Sequence, residues 1–173
     1  KFISGNLLYL PESSEISDKI ESYDFDYYLT QARKRLEGEI IHYYLSGLEL
    51  NVESERKSAM EHTISKFASL LDKSSILELL SKADSMIEKN SELFSDDYWD
   101  KAFCEFSVFD VSGREFRIDR LLINHDRKKI LIIDFKTGSF SEEQILNYCR
   151  IIEELPFVKQ SGYSVMAKYV EVN

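Results

Sequence analysis

Apolar residues first recur at steps of three and four. From about residue 27 to 49, Leu29, Ala32, Leu36, Ile40, Ile41, Tyr44, Leu45 and Leu48 line one side of a helix. A second helical pattern covers about 54–71 (Ala59, Ile64, Phe67, Leu70, Leu71). A third covers about 75–89, where Ser75 and Glu78 have the spacing of a capping box. Residues 91–100 read as a short helix or loop. The repeat then changes. Residues 102–110 are aromatic and β-prone, and Ser112-Gly113 signals a hairpin turn. Two alternating, mostly apolar runs fill 114–138, joined by a short polar turn and breaking at Thr137-Gly138. Residues 141–155 read as a helix burying Ile145, Leu146, Cys149, Ile151 and Ile152, stopped by Pro156. A last strand is expected at 163–171.

This order predicts an α/β fold: a central mixed β-sheet flanked by helices, with an N-terminal helical region. Residues 1–26, which pass through Pro11 into an acidic, serine-rich stretch, read as a lead-in or linker. Residues 27–173 read as one domain, 27–100 mainly helical and 101–173 the sheet core. At 173 residues and 43% hydrophobic, the chain can bury a substantial core.

Charge refines the picture. The net −9 arises wholly in residues 1–100, where 20 acids face 11 bases; residues 101–173 carry 11 of each. A free-standing nucleic-acid binder is ordinarily basic, so tight autonomous DNA capture is disfavoured. Cys104 and Cys149 are too few for an iron–sulfur cluster, a four-thiolate zinc site or a disulfide framework. Their scarcity fits a reducing, cytoplasmic setting. No apolar run approaches the roughly 20 residues that span a bilayer, so no membrane partner is expected. The start at Lys1 suggests a fragment or processed chain.

The unusual chemistry lies in 114–138. Asp119 and Asp134 stand where strands would hold apolar residues, and Lys136 follows Asp134 by two, on the same strand face. If the runs pair as a hairpin, Asp119 reaches that face too. Placing two acids and an ammonium there is costly unless they serve chemistry, and a divalent cation would account for them. The acid-x-lysine triplet alone is uninformative, since it recurs at Glu55-Lys57 and Asp126-Lys128. Only Asp134-Phe135-Lys136 follows an aliphatic run, Ile130 to Ile133. A plain strand-end turn at Thr137-Gly138 is the competing reading.

The wider arrangement resembles the PD-(D/E)XK nuclease superfamily, and in particular the RecB-like nuclease domain at the C-terminus of UvrD/Rep-type helicases. The resemblance rests on four motifs in order across about 33–170. They are Gly38-x-x-x-His42, Asp119-Arg120, Asp134-Phe135-Lys136-Thr137-Gly138 (phenylalanine where tyrosine is more frequent) and Gln144-x-x-x-Tyr148. It implies a restriction-endonuclease-like core and a DNA exonuclease or endonuclease dependent on Mg²⁺ or Mn²⁺. The metal ligands it implies are His42, Asp119, Asp134 and the Phe135 carbonyl, with Lys136 orienting the attacking water. Gln144 and Tyr148 would contact the DNA backbone. Glu105 is either an acid supporting the metal or an outward glutamate on an edge strand. Arg120 either contacts phosphate or forms a structural ion pair, since it points opposite to Asp119. His62 and His125 read as structural.

The implied setting is double-strand-break repair and recombination, with single-stranded ends delivered by a helicase motor in the same polypeptide or complex. The chain itself has no Gly-x-x-x-x-Gly-Lys-Ser/Thr loop, so the motor must lie elsewhere. Two alternatives stay open. One is a stand-alone Cas4-like or phage-type exonuclease, relatives of which often carry a four-cysteine cluster that is absent here. The other is a catalytically inactive nuclease-fold scaffold or DNA-binding module.

Overall fold

The computed structural model describes residues 25–50, 52–137 and 142–172. Most of the expected lead-in, together with Gly138 and Ser141, lies outside them. The chain divides into two compact units, residues 1–35 and 36–173. Helix α1 (Phe25–Ser46) begins in the first and continues into the second; α2 (Val52–Phe67) and α3 (Lys73–Lys89) follow. Asp72 caps α3, its Oδ1 accepting the Ser75 amide at 3.0 Å. The helix therefore starts ahead of the expected capping box, because an aspartate before the first turn accepts an otherwise orphaned N–H. A single 3₁₀ turn, Ser91–Phe94, leads to the sheet.

Strands β1 (Lys101–Phe109), β2 (Glu115–Asn124), β3 (Lys129–Lys136) and β4 (Ser164–Glu171) lie side by side in that order. β1, β2 and β3 are mutually antiparallel and β4 runs parallel to β3, so the sheet is mixed. The β3-to-β4 crossover contains α4 (Glu142–Glu154) and α5 (Pro156–Ser161). Pro156 does more than stop α4. It occupies the start of α5, where a missing amide costs nothing, and Gly162 closes that helix at φ +70°. Within α4, Tyr148 is buried at 3% exposure while Leu146 is 54% exposed, the reverse of the weight placed on Leu146.

The sheet separates two apolar cores. Leu122, Ile133, Phe135 and Val170 pack with Ile40, Ile41, Leu45, Ile76 and Leu80 of the first three helices. Leu121, Ile123, Ile130 and Ile132 pack with Tyr148, Ile151, Ile152 and Val158 of α4 and α5. Cover on both faces explains why the central strands read as nearly continuous aliphatic runs. Each side chain so buried contributes roughly 1.5–3 kcal/mol of transfer free energy. Among the described residues, no helix is long and apolar enough to cross a membrane.

The β1–β2 hairpin changes sides partway along. Ala102 belongs to the helical core but Val108, of the same strand parity, belongs to the α4 core. On β2, Leu122 faces the helical core and Ile118 the α4 core. An untwisted strand cannot do this, since residues an even number apart share a face. The exchange falls at Glu105, whose φ is +51°, and at Asp119, its opposite number between the pairs Cys104–Arg120 and Phe106–Ile118.

Candidate functional site

The exchange point is where the chemistry gathers. The β2–β3 ladder ends at Arg120–Ile133, so the next position along sets Asp119 opposite Asp134. There the Asp119 carboxylate replaces a ladder bond: its Oδ2 accepts the Phe135 amide at 2.8 Å. Its other oxygen, Oδ1, lies 3.5 Å from His42 Nδ1 on α1. Gly38 lies one turn earlier on the same helix face, beside Thr137 at the end of β3. A Cβ at Gly38 would stand 2.9 Å from Thr137 Oγ1, so a larger residue would require the Thr137 side chain to turn aside. The Phe135 ring anchors the same corner, stacking on Phe94 and meeting the His42 ring edge-on at 6.4 Å.

Glu105 joins from β1. Ligand atoms of His42, Glu105 and Asp119 all lie within 4.8 Å of one another. Glu105 thus lies beside His42 and Asp119 while belonging to β1, an edge strand. The positive φ is a strained conformation for a glutamate, of a kind that costs about 1–3 kcal/mol and concentrates at functional sites. Arg117 approaches the same glutamate, Nε lying 2.5 Å from Oε2.

Asp134 occupies the α4 side of the sheet. It is 2% exposed, and Lys136 Nζ lies 2.5 Å from its Oδ2. That oxygen has no aligned hydrogen-bond donor, so charge rather than direction holds the pair. Gln144 Nε2 reaches Asp134 Oδ1 at 3.5 Å, the long limit of a hydrogen bond, and donates a firmer bond to Tyr148 Oη at 2.7 Å. Lys136 Nζ donates to Gln144 Oε1 at 3.5 Å. Tyr148 Oη donates in turn to the Arg117 carbonyl at 2.9 Å. A hydrogen-bonded chain thus runs from β3 through α4 to the outer arm of β2.

The electrostatics follow from crowding. Burial pushes the Asp134 carboxyl above its ordinary range, Lys136 opposing this and Asp119 adding to it. Burial raises Glu105 likewise, with Arg117 opposing and Asp119 adding. For His42, burial alone would lower the imidazole. The Asp119 hydrogen bond and the charges of Asp119, Glu105 and Asp134 outweigh it, and the group ends above its usual value. With His42 neutral, three carboxylates face two cations, leaving one uncompensated negative charge.

One expected contact is overturned. Arg120 does not reach DNA, because its side chain is wholly buried. Among the described residues it forms no ion pair either. Nη1 donates to the Leu48 carbonyl at 2.6 Å, Nε to the Leu93 carbonyl at 3.2 Å, and Nη2 to the Glu49 carbonyl. The guanidinium lies over the Phe94 ring at 4.3 Å. Arg120 ties the helical layer to the sheet.

The structure thus brings His42, Asp119 and Glu105 into one donor group, with Asp134, Lys136, Gln144 and Tyr148 in a network beside it. His62 is exposed, and His125 pairs with Tyr163 at 2.6 Å in the β2–β3 turn region. Sequence reasoning missed Arg117. Its position two before Asp119, on the same nominal strand face, was the available signal. Comparison with protein-family models, curated proteins and solved structures returns no match.

Proposed function

We propose that this chain is a metal-dependent deoxyribonuclease with a restriction-endonuclease-like core, the RecB-like module of a helicase-nuclease that its motifs resemble. The observation carrying this reading is the 3.5 Å approach of His42 to Asp119, which joins two motifs far apart in the sequence. The donor chemistry suits the cation. One imidazole nitrogen and hard carboxylate oxygens, with one negative charge in excess, match Mg²⁺ or Mn²⁺. His42, Asp119 and Glu105 would hold it, with Asp134 and the Phe135 carbonyl as the further ligands the resemblance implies. When bound, the cation supplies Lewis acidity toward a phosphodiester and lowers the pKa of a water.

The residues supply the rest. Lys136, fixed between Asp134 and Gln144, places an ammonium where negative charge grows on the phosphoryl oxygens and orients the water for attack. Gln144 holds that ammonium and Asp134 in register, and its exposed amide offers a hydrogen bond to the DNA backbone. Tyr148 is too buried for the DNA contact expected of it and instead steadies Gln144 from behind. The even charge balance of residues 101–173 suits a strand delivered by a motor rather than captured from solution.

A second reading has its own support. The Glu105–Arg117 and Asp134–Lys136 contacts partly neutralise the cluster without any cation, as a catalytically inactive scaffold would require. Incubation with labelled linear and circular single-stranded DNA, with and without Mn²⁺, separates them. The nuclease reading expects Mn²⁺-dependent degradation of the linear strand, abolished by Lys136→Ala. Loss of the circle as well would indicate endonucleolytic cutting. A Lys136→Ala protein that cuts at the wild-type rate overturns the assignment.

A further inference from the structure

We propose that Arg117 is a substrate-phosphate contact held on Glu105 in the free protein, and that phosphate draws it away and hands Glu105 to the cation. This rests on the metal-dependent nuclease reading above. Four observations carry it.

First, Glu105 has two suitors. Its carboxylate is within reach of the His42–Asp119 donor pair, and it is also 2.5 Å from Arg117 Nε. A carboxylate whose lone pairs face a guanidinium is a poorer ligand for a divalent ion, so the two contacts compete. Second, Arg117 is 68% exposed at the side chain, so only one edge of its fork is engaged and the remainder faces solvent. Phosphate oxygens match that fork bidentately and carry more charge than one carboxylate oxygen offers. Third, the main chain at Arg117 is fixed on the reactive network by Tyr148, whose hydroxyl donates to its carbonyl at 2.9 Å. The side chain can therefore swing while its root stays put. Fourth, Glu105 is strained at φ +51°, in the middle of a strand, which marks a position selected for where its side chain points.

An ion pair this exposed adds little to stability, so holding the fold together does not explain it. Its consequence is coupling. If phosphate and cation each favour the parted state of Glu105 and Arg117, each must tighten the other's binding by the same factor. The cluster then remains largely neutralised until a strand arrives, and metal and substrate load together.

The test is titration calorimetry of Mn²⁺ into the protein, alone and with a saturating phosphorothioate-linked thymidine oligonucleotide that resists cleavage. Without oligonucleotide, Arg117→Ala is expected to bind Mn²⁺ about two- to fivefold tighter than wild type, the scale of a partly exposed charge pair. The oligonucleotide should tighten Mn²⁺ binding in wild type by more than in Arg117→Ala, the difference matching that factor. Arg117→Lys, which keeps the charge but loses the fork, should fall between. In a Glu105→Gln background, Arg117→Ala should change nothing. Mn²⁺ binding to Arg117→Ala at wild-type affinity, or an undiminished oligonucleotide effect in that variant, overturns the proposal. If those results come with a wild-type protein that binds Mn²⁺ and cuts DNA, only the role of Arg117 falls. If wild type binds no Mn²⁺, the nuclease reading falls with it.

Discussion

Replacing Lys136 by methionine removes the ammonium while keeping most of the stem's apolar volume. What remains is Asp134, 3% exposed at the side chain, with Gln144 at 3.5 Å as its remaining side-chain donor. Stripping one partner from a fully buried pair costs about 3–5 kcal/mol. Lys136 is 17% exposed and Gln144 stays, so a loss of roughly 2–4 kcal/mol at pH 7 is the scaled expectation. For a domain this size that is a fall in Tm of about 4–16 °C. The pH dependence carries the sharper signature. Burial already raises the Asp134 pKa in the wild-type protein, and losing Lys136 raises it further. An acid raised in the folded state favours folding when protonated. Stability must therefore climb as pH falls through the folded value, and the gain is complete only below the unfolded value. Urea unfolding at pH 7 and pH 5 should show the deficit of Lys136→Met shrinking on acidification. Lys136→Met/Asp134→Asn should stand within about 1 kcal/mol of wild type at both pH values, since both charges are gone. A deficit of the same size at pH 7 and pH 5 would refute the electrostatic account of this pair.

Arg120→Met should cost about 3–5 kcal/mol in urea unfolding, because three carbonyls lose a charged donor, yet leave the oligonucleotide affinity of the folded protein unchanged. A weakened affinity with intact stability would restore Arg120 as a DNA contact. Asp119→Asn should lower the His42 pKa, read by NMR titration of the imidazole, because the hydrogen bond and charge that raise it both weaken. In wild type, that raised pKa makes the His42–Asp119 contact stabilising below the unfolded pKa of about 6.5, and the benefit fades as pH rises through the folded value. An unmoved titration in Asp119→Asn would place the cause of the shift elsewhere.

Much of this was legible in the chain. Spacing alone placed every long helix and strand to within a few residues, because covered faces impose clear periods of 3.6 and 2. Asp119, Asp134 and Lys136 stood out by interrupting aliphatic runs, and the hairpin pairing that opposes the two aspartates followed from alternation. What escaped notice shares a cause. The α5 turn and the Asp72 cap depend on a residue just outside the periodic stretch, where apolar spacing carries no signal. Arg120 was correctly directed away from Asp119, but its partners are main-chain carbonyls at Leu48, Glu49 and Leu93, which no side-chain pattern encodes. Glu105 was named with two readings left open and Arg117 was missed, because alternation assumes a strand that keeps its faces, and this hairpin does not.

That exchange of faces also governs how the molecule can vary. The inner arm of the hairpin is packed on both faces, by the helical core at Ala102 and Leu122 and by the α4 core at Leu121 and Ile123, whereas the outer arm, with its Ser112-Gly113 tip, packs on the α4 core at Val108 and Ile118. Repacking the helical core reshapes the inner arm only, while repacking the α4 core reaches both. A change of two residues at the tip keeps the parity of both arms, whereas a single deletion between Glu105 and the tip inverts the outer one. Glu105 and Asp119 act as a fixed joint between an inner limb held on two faces and an outer limb held on one. The outer limb can therefore be remodelled over generations while Glu105, Asp119 and Phe135 hold their places around His42.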